Sequence, residues 1–379
     1  MYLNFNKKIT VLIPDGESPR LLSVINCLSL VENVEVYVMS SRRHYYMKYS
    51  RYIKSYVFYP DSNDRDWVNN INYEVEKNDI DVIMPVFEVG FNRIIKNKNK
   101  LKEKDKLCSL PTFPNFESAR NKDSLYRHLK ANDLPCPQSV ILEPNKPIEL
   151  AELTFPVVAK PVEGFGAGQG IEVLSENKDI FEYIKSHTFS CNTIFQNFIE
   201  GYDICCNVLC KNGDIIAYSI QKAHFSEKGK LTPQLSFSFV EEEALLQIIK
   251  KLMKSLNWSG VANIDCRYDI DISTFKIIEI NTRFWENIEA SAMAGVNFPY
   301  LYCLSTLNHN FKIQKADKIT YLNLKGLIKR LKTNPFFIIN TSYIWKNTPI
   351  SFALRDPMPM LYKFVWRTKN ILIQKIFRK

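Results

Sequence analysis

The stretch Ile277-Ile278-Glu279-Ile280-Asn281-Thr282-Arg283 combines β-branched apolar residues with polar residues at every second position, which is typical of a strand. Side chains alternate along a strand, so Glu279, Asn281 and Arg283 share one face. A carboxylate and an amide oxygen suit Mg²⁺, and a guanidinium can bind a phosphate or carboxylate through two hydrogen bonds. The stretch therefore indicates a site for a cation and an anion, unless it is only the polar face of an edge strand.

A second strand is predicted just before this one, over Gly260 to Asp269. A polar turn joins it to a strand over Thr274 to Arg283. If the two strands pair antiparallel, Asp265 faces Glu279 and Asn281. Three oxygen donors on adjacent strands indicate a cation site more specifically than any one of them.

A glycine cluster follows another predicted strand, which ends in Lys160. The cluster is Gly164-Phe165-Gly166-Ala167-Gly168-Gln169-Gly170, in a chain with only 12 glycines. Without Cβ atoms, the backbone N–H groups of such a loop can approach phosphate oxygens, and Lys160 adds a positive charge beside them. The order differs from a Walker loop, which ends in Gly-Lys-Ser/Thr and opens a helix. The alternative is a flexible hairpin without a ligand.

Two further polar residues are candidate ligand contacts. Lys122 lies before or in the first turn of a predicted helix, where the helix dipole disfavours a cation, so it either contacts a ligand or is a solvated surface lysine. Asp203 follows Gly201 at the start of a strand. It either accepts hydrogen bonds from a ribose diol or is an ordinary turn aspartate.

The first 115 residues or so alternate short apolar strands with helical stretches. Strands are predicted over Lys7 to Asp15, Val34 to Ser40, Ser55 to Tyr59 and Asp81 to Phe87. This alternation predicts a doubly wound parallel α/β sheet. No Gly-rich dinucleotide fingerprint follows the first strand, so the region is not by itself a convincing cofactor site.

Composition indicates a folded chain of more than one domain, since 46% of its 379 residues are hydrophobic. The nine cysteines are scattered without a CxxC pair, which suggests a reducing compartment. Neither a signal peptide nor an apolar run of transmembrane length is visible. A cytoplasmic protein is therefore expected.

The net charge of +10 is concentrated in the tail. Residues 311–379 hold 15 Lys or Arg against 2 Asp, a balance of +13, and the preceding residues sum to −3. Met358 to Lys379 has the pattern of a basic amphipathic helix with aromatic residues. It suits either a peripheral contact with the inner face of an anionic membrane or packing on the body, whereas no nucleic-acid recognition motif is visible.

The order of these motifs resembles the ATP-grasp superfamily, within it the carboxylate-amine ligases near the carbamoyl-phosphate-synthase-like branch. The resemblance covers about Asn121 to Tyr300, and the motifs that carry it are NKDSLYRHLKANDLPCP, FPVVAKPVEGFGAGQG, FQNFIEGYD, GVANIDCRYD and IIEINTRFW. It implies a mixed α/β and α+β chain in three parts. These are a pre-ATP-grasp domain over residues 1–115, a two-lobed ATP-grasp domain over 116–310 and a basic, partly helical extension over 311–379.

The resemblance also implies the residues that bind ATP. Lys122 and Lys160 would bind its phosphates under a loop containing Gly164, Gly166 and Gly168. The adenine hinge would run from Gln196 through Asn197 to Ile199, with Asp203 on the ribose. Asn197 stands where a glutamate is frequent, and Asp203 replaces the usual glutamate.

For the metal and the substrate, the resemblance implies that Asp265, Glu279 and Asn281 hold two Mg²⁺ ions, with Mn²⁺ as an alternative. Arg283 and Lys160 would be catalytic, and Arg267 and Arg283 would contact the substrate. Thr282 replaces the proline of the family's Glu-x-Asn-Pro-Arg pattern. Trp285 and Phe284 either line the acceptor pocket or pack in the core.

The implied reaction is attack of a carboxylate on the γ-phosphate of ATP, followed by capture of the acylphosphate by an amine, and it needs no protein nucleophile. Both substrates would be small molecules, and surface polysaccharide or secondary metabolite biosynthesis is a suitable setting. The alternatives are a carboxylating or carbamate-forming enzyme and a non-catalytic nucleotide-binding module.

Overall fold

The computed structural model describes residues 7–143, 153–162, 170–187, 192–226 and 234–377. The chain forms two compact units. The first contains residues 1–110, 283–317 and 321–379, and the second contains residues 111–282 and 318–320. The three domain ranges expected from the sequence stay a prediction, because compactness alone does not define domains that fold independently.

A four-stranded parallel sheet with strand order β3-β2-β1-β4 is the centre of the first unit. Its strands are β1 (Ile9–Ile13), β2 (Val34–Ser40), β3 (Ile53–Phe58) and β4 (Val82–Ile83). Helices α1 (Leu21–Leu28), α2 (Asp64–Lys77) and α3 (Glu88–Asn97) connect or follow them. The parallel sheet expected from the alternating pattern is confirmed.

The fourth strand is shorter than the sequence predicts. It covers Val82–Ile83 and not Asp81 to Phe87. Pro85 has no N–H to donate to a ladder. The amides of Val86 and Phe87 donate instead to the carboxylate of Asp15.

The second unit begins with helices α4 (Phe113–Arg120) and α5 (Lys122–Ala131) and holds two antiparallel sheets. The smaller sheet has the order β5-β8-β6-β7. Its strands are β5 (Ser139–Leu142), β6 (Val157–Pro161), β7 (Glu172–Leu174) and β8 (Thr193–Asn197). Helix α6 (Asn177–Ser186) packs on it, and Val157, Ile180 and Phe195 are fully buried between them.

The larger sheet has the order β13-β12-β9-β10-β11. Its strands are β9 (Gly201–Lys211), β10 (Asp214–Ser226), β11 (Gln234–Val240), β12 (Gly260–Asp269) and β13 (Thr274–Asn281). The amide of Phe239 in β11 donates to the carbonyl of Ile319 (3.1 Å), because residues 318–320 return to this unit. The Asn212-Gly213 pair between two apolar runs predicts a β-hairpin, and this is confirmed, since β9 and β10 pair antiparallel on either side of it.

The sequence predicts a helix over Val240 to Leu256, and it predicts that Lys222 and His224 interrupt the preceding strand pattern. The structure corrects both details. Helix α7 (Glu243–Ser255) begins at Glu243 and not at Val240, because Val240 ends strand β11. The strand β10 continues through Lys222 and His224, where an interruption was expected, because β11 pairs with it.

The remaining elements return to the first unit, apart from the short strand β14 (Thr320–Leu322), which begins at the edge of the larger sheet. They are α8 (Ile288–Met293), α9 (Phe298–Thr306), α10 (Leu324–Thr333), α11 (Thr341–Asn347), α12 (Ile350–Arg355) and α13 (Pro357–Phe377). Helices α8 and α9 pack on α1, where the Asn26 amide donates to Glu289 (2.8 Å). Among the described residues, no helix is long and apolar enough to cross a membrane.

Candidate active site

The predicted cation ligands lie together on strands β12 and β13. The strands pair antiparallel, with Asp265 opposite Glu279 and Asn263 opposite Asn281. The amide nitrogen of Asn281 donates to Asp265 Oδ2 (3.1 Å) and to Asn263 Oδ1 (3.0 Å). The antiparallel pairing that the prediction required is therefore present.

The chemistry of these side chains suits Mg²⁺. Nowhere in the described ranges do three or more His, Cys, Asp or Glu cluster as a metal site. A cation here would instead have two carboxylates, Asp265 and Glu279, and the amide oxygen of Asn281 as protein ligands. Mg²⁺ is usually bound by one or two carboxylates together with phosphate oxygens and water, so this donor set fits it.

Two lysines lie beside these acids. The Nζ of Lys122, at the first position of α5, lies 4.0 Å from Glu279 Oε2. Lys160 in β6 is only 5% exposed, and burial lowers its pKa to about 8. Lys122 lowers the Lys160 pKa further, whereas Glu279 and Asp265 raise it, so all four charges act on one another. Lys122, Lys160 and Gln196 also line a small pocket with Tyr126, Ile277 and Ile278.

The side chains of the predicted adenine hinge make hydrogen bonds within the protein. Gln196 accepts from Lys160 Nζ (2.9 Å) and donates to Ser139 Oγ (3.0 Å). Asn197 is paired with the backbone N–H and the hydroxyl of Thr154 (3.0 and 2.7 Å). Since both amides make these contacts, nucleotide contacts at the hinge would come from its backbone.

Arg267 anchors the segment after the hinge. Its guanidinium donates to the carbonyls of Ile199 (2.6 Å) and Gly201 (3.1 Å) and to the carboxylate of Asp203. Asp203 also accepts from Gln234 Nε2 (2.8 Å) and keeps 44% of its side chain exposed. The contacts of Arg267 favour a positioning role over the predicted substrate contact, and both roles stay predictions.

The predicted phosphate loop lies largely outside the described residues. Gly164, Gly166 and Gly168 belong to the range 163–169, which the structure does not describe. Gly170 is described and has a φ of +71°, a conformation that glycine adopts without strain.

Arg283 follows β13 and belongs to the first unit. Its guanidinium donates to the carbonyl of Phe284 (3.1 Å), lies 3.7 Å from Glu88 and stacks on the ring of Phe87 (5.2 Å). Phe284 and Trp285 are buried, in edge-to-face contact with Tyr302 and Phe298. Their contacts are those of core residues.

Sequence reasoning missed two charged residues of the first unit. Arg20 is close enough to Arg283 for the two charges to interact, and burial lowers the pKa of Arg20. Among the described residues, the buried Nε of Arg20 has no hydrogen-bond partner, and its Nη1 lies 3.7 Å from Glu286 Oε2. Asp15, directly after the loop from β1, is buried, and burial raises its pKa to about 7.

The topology of the parallel sheet could have indicated these residues. The chain proceeds from β1 to β2 and β3 on one side, whereas β4 lies on the other side of β1. Ligands of open α/β sheets bind at the carboxyl ends of strands where the order reverses. Asp15 follows β1, and its carboxylate binds the amides of Val86 and Phe87 after β4 at this point.

A comparison with protein families identifies the second unit. The model of the ATP-grasp domain matches residues 119–286. This part of the chain therefore matches an ATP-grasp domain. It contains the predicted lysines, the hinge, Asp203 and the acidic residues of β12 and β13, whereas Asp15 and Arg20 precede it.

A curated relative of this chain is D-aspartate ligase of Enterococcus faecium (strain Aus0004), 24% identical over 241 residues. The match covers 55% of this chain and 54% of that ligase, so it spans about half of the relative's length.

Solved structures show the same fold over most of the chain. The L-amino acid ligase from Bacillus licheniformis has a TM-score of 0.56 and 21% identity, covering 80% of this chain and 74% of that one. N5-carboxyaminoimidazole synthetase from Staphylococcus aureus, complexed with ADP, has a TM-score of 0.65 and 13% identity, covering 88% and 87%. The biotin carboxylase domain of Hydrogenobacter thermophilus 2-oxoglutarate carboxylase has a TM-score of 0.59 and 14% identity, covering 81% and 71%.

Proposed function

We propose that this protein is an ADP-forming ligase that joins a carboxylate to an amine through an acylphosphate. The observation that carries the proposal is the cluster of Lys122, Lys160, Asp265 and Glu279 in an ATP-grasp domain. Phosphoryl transfer requires positioning and neutralisation of charge more than a protein nucleophile, and such a cluster supplies both.

ATP and Mg²⁺ would bind at this cluster. Solved relatives were crystallised with ADP and, in the Hydrogenobacter enzyme, with its magnesium salt. Asp265, Glu279 and Asn281 would hold one or two ions, which neutralise charge on the transferring phosphate when bound. Lys122 and Lys160 would bind phosphate oxygens, and Asp203 would accept hydrogen bonds from the ribose.

The reaction proceeds in two substitutions. An oxygen of the substrate carboxylate attacks the γ-phosphorus, the bond to the β–γ bridging oxygen breaks, and ADP leaves. The amine then attacks the acyl carbon, inorganic phosphate leaves, and the ammonium loses a proton to give the amide. The lysines stabilise negative charge in the first step. Such electrostatic stabilisation is usually the largest single contribution to catalysis.

Arg283 and Arg20 would bind the substrate carboxylate. Both guanidiniums are largely covered, with 15% and 22% of the side chain exposed. The Nε of Arg20, which has no partner within the part of the chain that the structure describes, leaves a donor for an oxyanion. Two adjacent guanidiniums repel each other, and an anion between them relieves that repulsion.

An amino acid is the favoured substrate class, because the relatives include a D-aspartate ligase and an L-amino acid ligase. A second candidate is carboxylation of a small substrate. The Hydrogenobacter structure contains bicarbonate beside the magnesium salt of ADP, which favours this candidate over a binding module without turnover.

The test is ADP release from ATP and Mg²⁺ with pooled amino acids, other carboxylates and amines, each with and without bicarbonate. Glu279→Gln removes a carboxylate from the cluster and keeps its shape, so we expect at least a hundredfold loss of release. Glu243→Gln makes the same change at an exposed acid of α7 and should leave release unchanged.

Release that needs a carboxylate and an amine supports the ligase. Release that needs bicarbonate and no amino acid supports the carboxylating enzyme. Full activity of Glu279→Gln, or release without any acceptor, would contradict the proposed site.

A further inference from the structure

The basic tail places its charges around apolar side chains that face solvent. Residues 311–379 carry a net charge of +13. One of their two acids, Asp356, is 2% exposed and accepts hydrogen bonds from Ser50 Oγ (2.5 Å) and the amide of Arg51 (3.3 Å). Its charge is therefore directed inward, which leaves the outer surface of the tail more basic than the composition alone indicates.

Over Pro357 to Trp366, helix α13 contacts other parts of the first unit on one side. The ring of Tyr362 contacts Tyr49 with centroids 4.5 Å apart, and Lys363 stacks on Tyr46 at 5.2 Å. Pro359 is buried on the same side. Lys363 nevertheless stays exposed, so its charge remains at the surface of the protein.

Four of the described apolar side chains of α13 face away from that contact. We define the outer face of α13 as Met358, Leu361, Phe364 and Val365, which are spaced by three and four residues as one side of a helix requires. Each is between 51% and 71% exposed. A soluble monomer rarely exposes a contiguous apolar face without using it.

A second exposed apolar segment lies earlier in the tail. Phe336, Ile338 and Ile339 form a 3₁₀ turn and are between 62% and 80% exposed. Helix α10, which precedes this turn, carries Lys325, Lys329, Arg330 and Lys332. The combination of bulky apolar side chains and cations therefore occurs twice in the tail.

We propose that the outer face of α13 binds the surface of an anionic lipid bilayer. Apolar side chains entering the interface between headgroups and acyl chains, with cations beside them, are the recognised basis of such binding. A second copy of the chain fits less well, because its tail would bring another charge of +13. Nucleic acid would match the positive charge, but its bases stack on aromatic side chains and do not bind aliphatic ones such as Leu361 and Val365.

The binding is peripheral. No helix in the described ranges meets the length and hydropathy of a membrane span. Only the outer face would enter the interface, while the contacts of Tyr362 and Lys363 keep the helix on the first unit. Attraction of exposed cations to anionic lipid is screened by salt, so binding should weaken as ionic strength rises.

The test is co-sedimentation of the full-length chain, without nucleotide, with vesicles of phosphatidylcholine alone or mixed with phosphatidylglycerol. We expect binding to the mixed vesicles that decreases with salt. The variant Leu361→Gln/Phe364→Gln/Val365→Gln should bind at least about tenfold more weakly, because three apolar side chains no longer enter the interface.

A matched control removes three equally exposed apolar residues elsewhere, Phe181→Gln/Ile270→Gln/Ile272→Gln, and should bind as the parent does. Equal binding by the α13 variant, or no sedimentation of the parent, would overturn the proposal. So would light scattering that shows a dimer of the parent and a monomer of the α13 variant, since a second copy would then cover the face. ADP release plays no part in this assay, so its result is independent of the proposed reaction.

Discussion

Lys160 is a buried cation whose charge depends on pH within the working range of most proteins. Its pKa is lowered to about 8, first by burial and then by Lys122, despite the acids Glu279 and Asp265. The side chain is therefore charged below pH 8 and increasingly neutral above it. A bound phosphate would raise this pKa again, because it favours the charged form.

ATP affinity should consequently fall as pH rises above about 8. Between the pKa of the free site and that of the occupied site, the dissociation constant should increase by up to about tenfold per pH unit, because binding takes up a proton there. Isothermal titration calorimetry with ATP and Mg²⁺ measures how the dissociation constant changes with pH. A range of about pH 7 to about pH 10 covers the lowered and the ordinary pKa of a lysine.

Lys160→Arg is the control for this slope. Arginine stays protonated over the whole range, so the variant should show little change of affinity above pH 8, even if its affinity is lower throughout. The same slope in the parent and in Lys160→Arg would assign the pH dependence to another group.

At the scale of single residues, the sequence indicated Lys122, Lys160, Asp265, Glu279 and Asn281, because each belongs to a short motif with local spacing. It could not indicate Arg20, which lies in a turn without a motif. The closeness of Arg20 to Arg283 depends on tertiary structure that brings together residues 263 positions apart.

Among the elements, the junction of β8 with β9 depends on a single side chain of β12. Arg267 is 17% exposed and donates to Ile199, Gly201 and Asp203. Gly201 has a φ of +145°, and a Cβ there would lie 1.8 Å from the carbonyl oxygen of Tyr268. The strand therefore passes too close to β12 for any residue with a side chain.

Arg267→Met should destabilise the protein by roughly 2–4 kcal/mol, because it removes the guanidinium donor from two carbonyls and leaves Asp203 with Gln234 as its remaining side-chain donor. Urea unfolding followed by circular dichroism measures the loss. ATP affinity should fall as well, since the hinge loses its anchor.

Arg267→Lys tests whether charge alone is sufficient. Lysine cannot reproduce the planar fork, so we expect intermediate stability. If Arg267→Met were as stable as the parent and bound ATP normally, but showed a higher KM for one substrate, the substrate contact predicted from the family resemblance would be the correct role.

Element prediction succeeded where turn chemistry and alternation agreed, as in the β9–β10 hairpin and the β12–β13 pair. It was wrong at Val240, since a valine before three glutamates fits a helix start as well as a strand end. Only the pairing of β11 with β10 decides between them. Lys222 and His224 were misread for the same reason, because polar residues in the middle of a long strand resemble a loop.

For the whole molecule, Asp356 connects the tail to the parallel-sheet unit. Asp356→Ala should lower the free energy of unfolding by roughly 1–3 kcal/mol, because Ser50 and the Arg51 amide lose a charged acceptor. Hydrogen exchange should increase in residues 350–366, which lie on either side of Asp356. Asp356→Asn keeps an acceptor and should exchange more slowly than Asp356→Ala. Unchanged exchange in Asp356→Ala would mean that Tyr362 and Lys363 alone hold α13.

The large-scale organisation was only partly predictable. Alternating strands and helices indicated the parallel sheet, and ordered motifs indicated the ATP-grasp domain. Both signals depend on short stretches of local sequence. The return of residues 283–317 to the first unit was not predictable, since nothing local specifies which distant surface α8 and α9 cover.

This return sets an order on how the chain can fold during synthesis. The first 110 residues leave the ribosome long before α8 and α9, which cover α1 through contacts such as Asn297 Nδ2 with the carbonyl of Cys27 (2.7 Å). The buried face of α1 includes Val24 and Ile25. It therefore stays uncovered until the second unit's residues 111 to 282, more than 170 residues, have been synthesised. Nascent chains of intermediate length would expose this face, which makes them natural clients for chaperones.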